Sequence, residues 1–404
     1  MFQEERMSRK VYVFLIVFLG IMTAMAPLST DMYLPSLPEL SKDFGISTSM
    51  TQMTLTMTMI GMALGQVMGG PVSDRYGRKL PLLAGMVFFA LSAFACSVVG
   101  DIYIFLGFRF LMGFSGAFGI VIARAIARDV CAGPALMQFL AILMLVNGLA
   151  PILAPVAGAQ ILRFFSWHTV FDVLTVIGIF QFMATLVFKE TLPKEKRVGS
   201  LPEGFKAFGT LLGNKYFDGH CLLQCFTFGA FFSYIAGSAF LFQNIYHLSA
   251  QTYSFIFGGI GIGIAMMGSI PAKLANVVRE VVMLKYSLMV PVLGAVLLLT
   301  GIILSLPAWY LIAAIFVTVT PLSVMGAASM SLALSKCGQN AGGGSALLGF
   351  CNMFLGGILM PVVGIAGDTT ALPMGIIILV CELLSLISFY FFIAPYHKKE
   401  MEEE

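Results

Sequence analysis

The sequence predicts an all-α membrane protein whose twelve transmembrane helices form two six-helix bundles. Three observations carry that prediction: composition, the number of span-length apolar runs, and the placement of the basic residues. Of 404 residues, 59% are hydrophobic and 11% charged, against roughly 45–50% and 25% in an ordinary soluble domain. With a mean hydropathy of +0.94, the apolar excess is too large for one core to bury, so much of it must face the lipid bilayer. A net charge of +3, dispersed along the chain, predicts no nucleic-acid partner.

A span needs about 20 mostly apolar residues. Twelve stretches qualify: 11–34, 48–71, 80–99, 102–123, 134–161, 168–188, 217–242, 251–272, 284–305, 308–332, 343–365 and 371–394. The first follows a charged head and contains Ala24-Met25-Ala26, which mimics a signal peptide with its cleavage site. Apolar character running on to Leu34, with Pro27 directly after that site, favours a retained span. Trp167, Trp309, Tyr310, Tyr103 and Tyr396 fall at span ends, where an interfacial aromatic belt would put them.

Assigning each basic residue to a loop tests the count. The termini and even-numbered turns hold Arg6, Arg9, Lys10, Arg75, Arg78, Lys79, Arg124, Arg128, the linker lysines and Arg197, Lys273, Arg279, Lys285, Lys336, Lys398 and Lys399, which is 20 of the 23. Only Lys42 and Arg163 lie opposite, and Arg109 falls inside a span. The positive-inside rule then predicts that both termini are cytoplasmic. The stretch KETLPKEKRVGSLPEG is the one long polar segment, and it divides six spans from six. The expected organisation is an N-terminal bundle over 1–190, a cytoplasmic linker over 191–216 and a C-terminal bundle over 217–404. Such a layout suits a carrier with its substrate site between the halves at mid-membrane.

Charges within spans cost roughly 2.5–3.5 kcal/mol each on insertion scales and are functional candidates by default. Four qualify: Asp31, Arg109, Asp172 and Glu382. Asp31 and Arg109 share a similar depth, toward the outer ends of spans 1 and 4, and are expected to pair. A carboxyl whose distance from an arginine changes with conformation can bind and release a proton as a carrier turns. The alternative is an ion pair that merely fixes two helices. Asp172 is a candidate for lining the cavity, together with the uncharged Asn147, Gln224 and Tyr234; no role is assigned to Glu382. Met and Thr in TQMTLTMTMIGM, with the aromatic residues of FTFGAFFSYIAG, could form a soft wall for greasy substrates, although each Met taken singly is better explained by packing or by facing lipid.

Two further patterns stand out. The turn after span 2 reads GGPVSDRYGRK, in which Gly70, Asp74, Arg75, Gly77 and Arg78 combine flexible backbone with pairable charges. In span 5, Gly148, Pro151, Pro155 and Gly158 fall within about 80° of one another on a helix, a small and kinked face. Gly258, Gly259, Gly261 and Gly263 in span 8 offer a close-packing mate. The seven cysteines lie almost all in apolar runs, the four histidines are scattered, and no grouping suggests a metal site or a disulfide framework. Gly342-Gly343-Gly344 lacks the Lys-Ser/Thr of a phosphate cradle.

The turn motif resembles the loop signature of the major facilitator superfamily, in which Asp and Arg latch the two bundles on the cytoplasmic side. The span-5 face is similar to the antiporter motif of drug-exporting members. PLSTDMYLPSLPEL, STSMTQMTLTMTMIGMALGQ, GPVSDRYGRK and FRFLMG look like the Bcr/CflA (bicyclomycin-resistance-like) branch of the drug:proton antiporters. That likeness covers the first half of the chain; the second half matches in span layout. Met112 stands where the branch usually has Gln, and PAKLANVVREVVM lacks the Asp and Gly of its first-half counterpart. The resemblance implies the superfamily fold and proton-coupled efflux of small amphipathic or lipophilic compounds. It also implies no cofactor beyond the proton gradient, no metal, a chain that functions as a monomer, and a bacterial inner-membrane location. The rival expectations are a proton-driven importer or facilitator on the same fold and, from another class, an intramembrane enzyme or receptor. Against the last, the spans contain no Ser/His/Asp or His/Glu ligand spacing.

Overall fold

The computed structural model describes residues 9–131, 133–197, 209, 211–274, 277–337 and 341–397. Among them are twelve helices long and apolar enough to cross a membrane. They are Val11–Asp43, Thr48–Tyr76, Lys79–Val98, Ile102–Val130, Gln138–Phe164, His168–Val187, Lys215–Ile245, Ala250–Met267, Glu280–Ile303, Ala308–Ser335, Gly343–Val363 and Leu372–His397, here spans 1 to 12. All twelve expected spans are present, and the departures from the expected bounds have local causes. Span 1 runs as a helix over Arg9–Asp31, then tightens into a single 3-10 turn, Leu34–Ser36, before a short helix, Leu37–Asp43. Pro35 and Pro38 lack the N–H that would carry the α-helix through. Span 10 is two helices, Ala308–Val319 and Leu322–Ser335, parted at Thr320 and Pro321 for the same reason. Spans 7 and 12 each pass into one π turn, at Leu241–Ile245 and Phe389–Ile393.

Contacts between turns sort the helix ends into two faces. On one, the turn after span 2 meets Asp129 at the end of span 4 and Glu190 beyond span 6, while Tyr216 at the start of span 7 meets His397 at the end of span 12. This is the terminal face. On the far face, Trp167 before span 6 donates to Asp43, Asn244 to Asp368, and Tyr246 to the Leu306 carbonyl. The alternation is what an even number of spans requires. Trp167 departs from the belt expected of it: it is 1% exposed and packed edge-on against Phe105 and Phe171. Its indole N–H is satisfied by Asp43 rather than by interfacial water, which lets the ring serve as core.

Spans 1–6 pack among themselves, as do spans 7–12, and the two groups meet along spans 2 and 11 and spans 5 and 8. Most of the hydrogen bonds between the groups lie in the far half. Ser49 donates to the Pro361 carbonyl at 2.7 Å, Gln52 to Ala236 at 3.0 Å and Thr56 to Gly357 at 2.6 Å. Gln251 reaches the Ala159 carbonyl at 3.1 Å and Gln243 reaches Pro35 at 3.2 Å. Farther along the same junction, Gln66 of span 2 donates to Met353 Sδ of span 11 at 3.2 Å, so most, not all, of these bonds lie toward the far face.

Candidate functional site

Asp31 ends the long helix of span 1, where the chain is about to turn at Pro35, and is 6% exposed. Thr30 donates its hydroxyl to Asp31 Oδ1 at 3.0 Å. Across the junction, the carboxyl lies close enough to the Tyr234 and Tyr253 hydroxyls of spans 7 and 8 to act on both electrostatically. Tyr253 is bonded to Ser238 at 3.1 Å, whereas the Tyr234 hydroxyl has no hydrogen-bond partner among the described residues. Its ring is held by stacking on Phe257 at 5.7 Å. Of the cavity candidates, Tyr234 is the one brought to Asp31.

The expected pairing of Asp31 with Arg109 is not made. Arg109 is 0% exposed, donates from Nη1 to the Ser29 carbonyl at 2.8 Å and from Nε to the Thr54 carbonyl at 3.4 Å, and lies over the rings of Tyr33 at 4.6 Å and Phe171 at 5.5 Å. Its Nη2 has no partner, and among the described residues no carboxylate forms an ion pair with it. The reason is azimuth. Ser29 and Tyr33 are four apart and share the face of span 1 that Arg109 touches. Asp31, two residues from each, points about 200° away. Similar depth along two helices does not make a pair; rotation about the helix axis decides it.

The remaining candidates separate. Asp172 is exposed on the outside of span 6, Asn147 is half-buried, and Gln224 is buried within the second group, bonded to Ser329 at 3.4 Å. In span 5, Gly158 packs against span 1 so closely that a Cβ there would run into the Met32 carbonyl. Pro155 is buried and Pro151 half-buried, while Gly148 is exposed with no neighbour near it, so the close-packed face is shorter than expected. Span 8 does mate with span 5, but through Gly258 and Gly261 on Ile152, off the proline face. Gly263 packs instead on Phe316 and Thr320 of span 10, and Gly259 is open.

The terminal-face turn is a charge cluster. Arg78, 6% exposed, donates to Asp74 at 2.5 Å, to Ser73 at 2.8 Å and to Asp129 at 2.9 Å. The Glu190 carboxylate accepts the backbone N–H groups of Arg78 and Lys79 at 2.9 and 3.1 Å, and Arg197 stands 3.7 Å from it. Gly77 takes a φ of +90°, and a Cβ there would meet the Arg197 guanidinium at 2.6 Å. Arg75 is peripheral, over the Tyr76 ring at 5.3 Å, and Gly70 packs near Val121. Contrary to the expected latch between bundles, these bonds join the turn to span 4 and to the segment after span 6, all within the first group. Asp129 and Glu190 were the missing partners. Each closes or follows a span beside basic residues, a signal that pairing the loop charges of one face would have used.

Burial would push the Glu190 carboxyl up, but N–H groups of Leu192, Arg78, Lys79 and Thr191 hold it below the usual carboxylate range. A carboxyl depressed in the folded state contributes stability that is present above its unfolded value, about 4.3, and is lost as pH falls through the folded value. Thermal unfolding scans of purified protein from neutral pH downward should therefore show a steeper acid loss for the wild type than for Glu190→Gln. Parallel curves would remove Glu190 from the account.

Twelve spans in two packed groups, with a buried acid of one group within electrostatic reach of phenols of the other at their junction, are the architecture of a membrane carrier. The chain belongs to the Major Facilitator Superfamily, whose family model matches residues 19–361. It is 38% identical over 376 residues to YdgK, an MFS-type transporter of Bacillus subtilis (strain 168), covering 92% of this chain and 93% of that protein. It is 30% identical over 388 residues to the bicyclomycin resistance protein homolog of Haemophilus influenzae, covering 95% and 97%. Its fold is similar to a crystal structure of a D-xylose-proton symporter, with a TM-score of 0.73 at 14% identity over 96% of this chain and 98% of that one. Within the superfamily the chain sits in the bicyclomycin-resistance branch, and it is a carrier of small molecules rather than an enzyme.

Proposed function

We propose that this carrier exports small amphipathic or lipophilic compounds in exchange for protons, with Asp31 as the proton carrier and Arg109 as the group that fixes the helix bearing it. The supporting observation is the placement of Asp31: buried, forming no ion pair among the described residues, and within electrostatic reach of Tyr234 and Tyr253 in the other half. A carboxylate there needs a counter-charge, and a proton or the polar head of a substrate would supply it in turn. The names of relatives such as the bicyclomycin resistance protein homolog favour drug-like cargo. In this reading residues 1–190 and 217–404 tilt as units about the junction, with 191–216 as the linker between them. The basic residues make the terminal face cytoplasmic in a bacterial inner membrane, so the far-side hydrogen bonds close the outward gate. A single chain suffices, and the proton gradient is the energy source, with no cofactor.

Inside-out vesicles test the direction. Imposing an acid interior should drive accumulation of dyes or antibiotics to which the carrier confers resistance, and collapsing the gradient should release them. Accumulation driven by an acid exterior would instead mean symport, and indifference to the gradient would leave only facilitated diffusion.

A further inference from the structure

The histidines look scattered in the sequence, yet the fold brings two of them to one polar file. On span 7, Tyr216, His220, Gln224 and Thr227 share a face within about 80°, and all four are buried. Tyr216 Oη pairs with His397 Nε2 at 2.9 Å, His220 Nδ1 with Ser329 Oγ at 2.9 Å, and Thr227 Oγ1 with Ser385 Oγ at 2.7 Å. Gln224 Nε2 donates to the same Ser329 at 3.4 Å, and the Tyr216 and His220 rings meet edge-on at 4.8 Å. One helical turn separates Gln224 from Thr227. The file begins at the terminal face and ends halfway through span 7.

At its inner end lies Glu382 of span 12, 2% exposed, with Oε2 lacking a hydrogen-bond partner among the described residues. With Thr227, Phe231, Thr318 and Met325 it lines a cavity of about 10 Å³, room for about one water. Among the described residues of spans 7, 9, 10 and 11, no charged side chain acts on it. Cys381, the adjacent residue on its own helix, is a buried thiol within its electrostatic reach. A buried carboxylate without a partner is costly, so the site must be occupied by a proton or a small cation whenever it is closed. The cavity wall includes Thr318, Val319 and Leu322, on either side of the break in span 10. A change in that kink would alter the seal.

We propose that Glu382 is a second protonation site, separate from Asp31, loaded and unloaded from the terminal face along the file of Thr227, Gln224, His220 and Tyr216. This rests on the reading of the chain as a proton-exchanging carrier. On unloading, the carboxyl O–H bond breaks and its electron pair stays on Glu382. The proton passes to the Thr227 and Ser385 hydroxyls, is carried by water admitted beside Gln224 across the one-turn gap to the His220–Ser329 pair, and leaves to water at the terminal face; loading reverses these steps. Hydration through the span-10 break stabilises the carboxylate while it is bare.

Stopped-flow pH jumps on the purified full chain, read with a pH-sensitive dye, count protons bound and their rate. Glu382→Gln should take up about one proton fewer per chain than the wild type. His220→Phe should take up the Glu382 proton at least about tenfold more slowly. Unchanged uptake in Glu382→Gln, with a loss in Asp31→Asn, overturns this proposal alone; a loss in neither overturns the antiport reading as well. Should Glu382→Gln fail to fold, carbodiimide labelling of the unmodified protein, which tags protonated buried carboxyls, should mark Glu382 at acid pH and fade at alkaline pH. Absence of that mark counts against the site.

Discussion

Asp31→Asn should abolish gradient-driven transport while leaving a folded, inserted chain. The amide is isosteric, and its oxygen can still accept the Thr30 hydroxyl that now bonds Oδ1 at 3.0 Å. What it cannot do is take up and release a proton, so the exchange of charge between proton and cargo is lost. Since no ion pair is broken, stability should change by less than about 1 kcal/mol. Resistance of an efflux-deficient host to a panel of dyes and antibiotics should fall to the level of the empty vector, with protein abundance and thermal midpoint retained. Asp31→Glu keeps the titrating group and should restore part of the activity. Wild-type resistance from Asp31→Asn would remove Asp31 from the mechanism.

Arg109 should matter in a different way. Its guanidinium ties carbonyls of spans 1 and 2 and supports two rings. Truncation to alanine leaves a large void and two carbonyls short of a donor, roughly 3–5 kcal/mol by comparison with other buried truncations. Arg109→Lys keeps the charge, but a point ammonium cannot span both carbonyls and both rings, so it should recover only part of the stability. A double-mutant cycle with Asp31→Asn separates the two accounts. With Asp31 facing away, the coupling energy should be within about 0.5 kcal/mol of zero. A direct ion pair would give a coupling of several times that.

The span count was legible because each span is written in about 20 contiguous residues, and the basic residues checked the count independently. The breaks at Pro35 and Pro321 were visible as prolines but not as consequences, since proline is tolerated within spans 2, 5, 9 and 11. What determines the outcome is whether neighbouring helices support the freed backbone. The site was half legible. Depth along a helix follows from residue number, which made Asp31 and Arg109 look like partners. Which way each side chain faces depends on how span 1 rotates against spans 4 and 7, a tertiary property. The polar file from His397 to Glu382 was hidden for a related reason: its members come from spans 7, 10 and 12, and only Tyr216, His220, Gln224 and Thr227 share a periodicity the eye could have found. The charge cluster at Arg78 shows the reverse case, in which a local motif was seen and its distant partners, Asp129 and Glu190, were not.

Substrate affinity of the purified carrier, measured against pH in the wild type and in Asp31→Asn, bears most directly on whether cargo displaces a proton from Asp31. Affinity in the wild type should weaken on acidification, by up to about tenfold per pH unit for each competing proton. Asp31→Asn should lose one proton's share of that slope. Superimposable pH profiles for the two proteins would contradict it.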